Sequence, residues 1–217
     1  MNIKKTTLRL TAIVMLLLAT TSSIAQQKTT MAMLYRQFKP AVITLTDGRV
    51  ITNPLTNVFL KNSSLLYMHN TYTMEAKMET ISKVEFEDQK FVVINNQLAS
   101  IVDTIGSNVL FRIDYLDMDA YKAQLKNNIQ ITNLTLSDFV NTDAVDLNNE
   151  EDYKFPLVHK YYMLYNGEMI QVHEREIWRK LPKDKDIRRQ YKTIISLPDF
   201  TWVDDESIIK LLKAISN

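Results

Sequence analysis

The feature that most limits how this chain can fold is a long run of period-two patterning. It extends from Ala41 to about Leu116 and is cut at short intervals by turn-forming pairs. Apolar and polar residues that alternate send successive side chains to opposite faces, which suits strands and not helices. The cuts fall at Asp47-Gly48, near Asn62-Ser63, near Asp88-Gln89 and at Gly106-Ser107. An Asp-Gly pair supplies the positive φ angles of a type I′ hairpin turn. The run therefore predicts seven or eight short strands joined by tight turns. An antiparallel meander is the expected product, rolled or barrel-like so that its edges are hidden.

After Leu116 the period changes. Asp117 suits the N-cap of a helix in "MDAYKAQLKNN", with Tyr121 and Leu125 four residues apart on one face. Residues 133–155 include "NTDAVDLNNEED" and read as an acidic, Asn-rich exposed linker. "VHKYYMLYNGEMIQVH" is a hairpin about Asn166-Gly167, whose two-residue turn sets Tyr165 opposite Glu168 and leaves His159 and His173 on opposite faces. Three helices follow: "EREIWRKLP", ended by Pro182; "DKDIRRQYKTII"; and "ESIIKLLKAIS", capped by Asp204 or Asp205. The fold class is α+β, a β-meander followed by a smaller hairpin-plus-helices region. The expected division is 1–25, 26–40 (a short helix or loose lead-in), 41–132 (β-rich with a terminal helix), 133–155 (linker) and 156–217 (α+β).

Residues 1–25 have the marks of a secretory signal peptide. Lys4, Lys5 and Arg9 precede the apolar run Leu10–Ala19, and Ser23-Ile24-Ala25 offers small residues for cleavage. Cleavage after Ala25 would leave Gln26 first and an exported protein, periplasmic or extracellular or associated with the outer membrane. No later stretch reaches the roughly 20 apolar residues of a membrane-spanning helix. The chain has no cysteine, which excludes disulfides, thiolate metal sites and a lipoprotein anchor. Without Lys4, Lys5 and Arg9, the 26 basic residues become 23, against 25 acidic ones. That balance, together with export, argues against nucleic acid as a partner.

Chemistry-bearing motifs are few. "VHEREIW" begins like the zinc-binding H-E-x-x-H helix, but Ile177 stands where the second histidine is needed. The other histidines, His69 and His159, lie on different predicted elements. Asp146, Asn148 and Glu150 alternate as calcium ligands do, yet Glu151 replaces the glycine that such a loop requires. All three glycines, Gly48, Gly106 and Gly167, belong to hairpin turns. None is left for a phosphate-cradling loop or a nucleophile elbow. Tyr161, Tyr162 and Tyr165 could form a sugar-stacking platform, or else pack in a core. Residues 175–192 are rich in Arg and Lys, and the interval 174–192 has net charge +4. They form either a solvated helix face or a surface for peripheral contact with anionic lipid or lipopolysaccharide. The first reading expects Lys185, Arg188 and Lys192 to lie opposite the apolar stripe of their helix.

"TDGRVITN", "FLKNSSLLY", "MEAKMETISKVEF" and "DDESIIKLLKAI", behind a leader ending "SIAQQ", resemble uncharacterised secreted proteins of Bacteroidetes. The resemblance implies an envelope location and brings no activity. No catalytic, cofactor-binding or metal-ligating residue is assigned, and no cofactor is expected. The sequence points to an exported, non-enzymatic module that binds an envelope protein or glycan. The alternative is a hydrolase of an envelope polymer, which would need a cleft with converging acid, His or Ser groups.

Overall fold

The computed structural model describes residues 31–128 and 155–216. The leader (1–25), most of the acidic linker, and the calcium-like trio Asp146, Asn148 and Glu150 lie outside the described residues.

The period-two run forms eight strands: β1 (Lys39–Leu45), β2 (Val50–Phe59), β3 (Ser64–His69), β4 (Tyr72–Glu75), β5 (Ile81–Glu85), β6 (Lys90–Ile94), β7 (Gln97–Ile105) and β8 (Asn108–Leu116). A helix, α1 (Met118–Asn128), follows, and the Asp117 carboxylate caps it by accepting from the amides of Asp119 and Ala120. Beyond the linker come β9 (Leu157–Tyr165), β10 (Glu168–Gln171), α2 (Glu174–Lys180), α3 (Lys185–Ile195) and α4 (Asp205–Ser216).

The hairpins predicted at turn-forming pairs fall in place, but the Asp47-Gly48 turn is not the type I′ expected: Gly48 alone has positive φ there, and the loop runs from Leu45 to Arg49, closed by Leu45 N donating to Arg49 O at 2.8 Å. Gly48, Gly106 and Gly167 all have positive φ, and Tyr165 pairs with Glu168 across Asn166-Gly167. Two further hairpin turns use asparagines at positive φ, Asn95 and Asn96 between β6 and β7 and Asn70 between β3 and β4. Asparagine tolerates this region better than other non-glycine residues.

All ten strands join one antiparallel sheet in the order β10-β9-β8-β7-β6-β5-β1-β2-β3-β4. Two meanders grow outward from a central β1–β5 seam, in which Ile43 is opposite Val84. β9 pairs with β8 from Val109–Leu164 to Leu116–Leu157, so the C-terminal hairpin extends the sheet of the first eight strands. The sheet curls strongly. The tip of the β2–β3 hairpin reaches back across the fold, where Leu98 donates its amide to Ser63 O at 2.7 Å and Leu116 to Leu60 O at 2.8 Å.

The expected barrel-like closure does not form; the sheet is open, with β4 and β10 as its edges. The physical reason lies at β8. Its outer edge is occupied by β9, so that edge is unavailable to the other arm. Toward the β8–β10 end, the face that a barrel would have enclosed is instead covered by helices.

The curled arm encloses Ile43, Val58, Leu65, Val84, Phe91 and Leu98 among others. On the same sheet face, at the other end, Leu110, Tyr161, Met163, Tyr165 and Ile170 meet Ile177, Leu181, Tyr191 and the α4 stripe. That stripe is the one the sequence indicates: Ile208, Leu211 and Leu212 are fully buried and Ile215 nearly so. Burying each of these side chains is worth roughly 1.5–3 kcal/mol. The C-terminus of α4 is fastened as well, since Tyr165 Oη donates to Ile215 O at 2.9 Å and Asn108 Nδ2 to Ser216 Oγ at 2.9 Å.

The lead-in forms no helix over residues 31–38. It runs beside β2, bridged at Met33–Phe59, and is held by the buried side chain of Asn57. The Asn57 amide accepts from Tyr35 N at 3.1 Å and donates to Tyr35 O at 2.8 Å and Gln37 O at 3.3 Å, so it acts as a substitute strand neighbour.

Candidate functional site

Two places gather chemistry-bearing side chains. The first is a square of four residues on β8 and β9. Arg112 is opposite Tyr161 and Asp114 is opposite His159, so pleat and register put all four on one face. This is the face shared by the two apolar cores, and Tyr161 is itself part of the core beneath the helices. Arg112 Nε donates to Asp114 Oδ1 at 2.7 Å, and its Nη1 reaches Asp205 at the start of α4. His159 Nδ1 lies 2.7 Å from Asp114 Oδ1, and Tyr161 Oη donates to Asp205 Oδ1 at 2.7 Å.

Burial raises the Tyr161 phenol above its ordinary value, and the neighbouring Asp205 adds to the shift by accepting a hydrogen bond from it and through its charge. Burial works against the charged Arg112, but the two carboxylates outweigh it and hold the guanidinium more firmly protonated. The square is thus closed on itself. His159 hydrogen-bonds to Asp114 alone, and no serine or threonine hydroxyl hydrogen-bonds to it among the described residues. An Asp–His pair is what a general base uses, but a nucleophile or a positioned water is also needed.

The second place is the basic stretch. α2 and α3 pack across Trp178 and Tyr191, with ring centroids 5.6 Å apart, and Tyr191 Oη anchors the pair by donating to Glu174 O at 3.0 Å. Outside this contact lies an open cleft of about 390 Å³, lined by Trp178, Lys185, Arg188, Arg189, Lys192 and Thr193. The guanidinium carbon of Arg188 is 4.6 Å from the Trp178 ring centre, and Lys192 Nζ is 5.1 Å from it. Arg188 also donates through Nε to Pro182 O at 2.9 Å.

This differs from a purely solvated helix face. Arg188 is half-buried against an aromatic ring, because α2 lies beside α3 where sequence alone places solvent. Arg189 is paired with Asp186 at 2.8 Å, and Arg179 is paired with Glu176. Lys185, Arg188 and Lys192 have no carboxylate partner among the described residues.

The other sequence candidates disperse. His173 is the N-cap of α2, its Nδ1 accepting from Arg175 N at 3.3 Å. His69 ends β3. No group of three or more His, Asp or Glu arranged to hold a metal occurs among the described residues. Tyr161, Tyr162 and Tyr165 are buried and divided between opposite sheet faces, so they offer no stacking platform. Among the described residues no helix is long and apolar enough to cross a membrane.

The Arg112–Asp114–His159–Tyr161 square carries no sequence signal, because its halves are separated by residues 115–158 and meet only through the β8–β9 register. The cleft carried a partial signal in its charge, whereas the part played by Trp178 is tertiary. No family model, curated protein or solved structure matches the chain.

Proposed function

We propose that this chain is an exported, non-enzymatic binding module of the cell envelope, with the α2–α3 cleft as its contact site. One observation carries the reading: three cationic groups line a cleft beside the half-buried Trp178 ring, and none has a carboxylate partner among the described residues. A fold that needed these charges for stability would pair them, as it pairs Arg112 with Asp114 and Asp205. Like charges held close together raise the energy of the free protein, and an anionic partner relieves that repulsion. The leader-like residues 1–25 and the resemblance to secreted proteins support export; the absence of thiols is compatible with it.

The test uses the mature chain and the native envelope fraction, separated by sedimentation. The wild-type chain is expected to co-sediment with the envelope, and Lys185→Ala/Lys192→Ala is expected to remain soluble. Equal co-sedimentation of the two would remove the cleft from the reading.

A second reading, hydrolysis of an envelope polymer, is favoured by one observation: the 2.7 Å contact of Asp114 with His159 Nδ1, which orients the ring as a base requires. Release of soluble fragments from purified envelope polymer, abolished in His159→Ala, would establish it in place of the first.

A further inference from the structure

We infer that the α2–α3 cleft recognises a phosphate group; the inference rests on the binding reading above and names the ligand chemistry of the same site.

The donors decide the class. A carboxylate is flat and singly charged, and one free arginine fork satisfies it. Here no fork is free, because Arg188 is committed to the carbonyls of Leu181 and Pro182 and stacked on Trp178, and Arg189 is engaged by Asp186. The uncommitted donors are the ammonium groups of Lys185 and Lys192, which are compact charges with rotatable protons. They stand on one face of α3, two turns and about 10 Å apart along its axis, so that long side chains can close on one group from its two ends. A tetrahedral group with several acceptor oxygens and up to two negative charges can use both at once. Four cations line the cleft, and Asp186 offsets one of them, which leaves a surplus suited to a doubly charged anion.

The first amides of α3 do not contribute. The Asp184 carboxylate already accepts from Asp186 N at 2.8 Å and Ile187 N at 3.0 Å. Recognition therefore rests on side-chain charge held beside the Trp178 ring.

The phosphate could come from a lipid headgroup or from a soluble phosphate ester, and the experiment separates these. The mature chain is titrated with glycerol 3-phosphate by calorimetry. It is separately sedimented with vesicles of equal parts phosphatidylcholine and phosphatidic acid, at constant ionic strength. Binding of the soluble ester supports a soluble ligand, and binding of vesicles alone supports a lipid headgroup. In either arm Lys185→Ala/Lys192→Ala should weaken binding by about tenfold or more, since each lysine near an anionic surface contributes roughly a factor of five. The variant Lys61→Ala/Lys77→Ala removes the same charge from exposed positions outside the cleft and should leave binding within about twofold. Failure of both probes, or equal loss in the two variants, overturns the inference. Acetate competing as well as phosphate overturns the phosphate assignment but leaves the binding reading intact. Envelope association that persists while both phosphate probes fail does the same.

Discussion

Tyr161, near the middle of β9, and Asp205, at the first turn of α4, are joined by a 2.7 Å hydrogen bond from phenol to carboxylate, and the other oxygen of that carboxylate takes Arg112 from β8. One side chain thus ties the helical layer to two adjacent strands. Asp205→Ala should cost about 1–3 kcal/mol, because it leaves a part-buried phenol and guanidinium short of a partner. Asp205→Asn should cost less, since its amide oxygen still accepts from Tyr161. Urea unfolding measures both, and equal losses would show that the carboxylate's hydrogen bonds are not what matters.

The tyrosines set the alkaline limit. Burial raises the phenols of Tyr35, Tyr161 and Tyr191; Asp88, Asp205 and Glu174 respectively add to it, and Tyr191 is pushed up to about 12. Each folded value exceeds the unfolded one of about 10, so the folded state holds these protons longer. Their stabilising contribution is fully present below about pH 10 and is lost as pH rises through the folded values. Stability should therefore fall steadily above about pH 10, and Tyr161→Phe should make that fall shallower. A stability profile that is flat up to about pH 12 would contradict the assignment.

The α4 stripe separates two neighbouring substitutions. Leu212 is fully buried, and Leu212→Asp should lower stability by about 4 kcal/mol or more through lost burial and an unpaired buried acid. Lys213 is exposed, with its ammonium 3.9 Å from Asp103, and Lys213→Asp should cost under about 1 kcal/mol. Thermal melts that shift alike for the two would mean that α4 does not dock through this stripe.

Asn57 is fully buried and bonded through both atoms of its amide. Asn57→Leu keeps the branching of the side chain but strips partners from Tyr35 N, Tyr35 O and Gln37 O, and should cost about 2–4 kcal/mol. Limited proteolysis should then cut within residues 31–38 well before the sheet unfolds. If the cleavage pattern stays as in wild type, the segment is held by its apolar contacts instead.

The elements visible in the sequence are those whose signals are local. Asn166-Gly167 announces itself because few residue pairs accept two successive positive φ angles, and Asp47-Gly48 because its glycine takes the one positive φ that its turn needs. The α4 stripe is legible because Ile208, Leu211, Leu212 and Ile215 repeat at helical spacing. Asn95-Asn96 is quieter, since asparagine serves many loops as well as turns. The β1–β5 seam has no local signature at all, because any strand with one apolar face could have been the partner of Ile43 and Val84. The same holds for the site. Lys185, Arg188 and Lys192 are plain as charges in the sequence, but their arrangement around Trp178 depends on how two short helices cross.

The topology also fixes an order of events during synthesis. Every neighbouring pair in the sheet is a hairpin except β1–β5 and β8–β9. Hairpins close within microseconds once their strands exist, whereas the two long-range pairings must wait for intervening chain. As the polypeptide emerges, β8 can complete its ladder with β7, yet its other edge has no partner until residues 117–156 have followed. During that interval nine residues, Asn108–Leu116, present unpaired backbone beside Leu110 and Ile113. Such an edge is a template for intermolecular pairing. A nascent chain halted before β9 is therefore the species most prone to self-association, and a holdase that binds extended apolar segments would find its best target there.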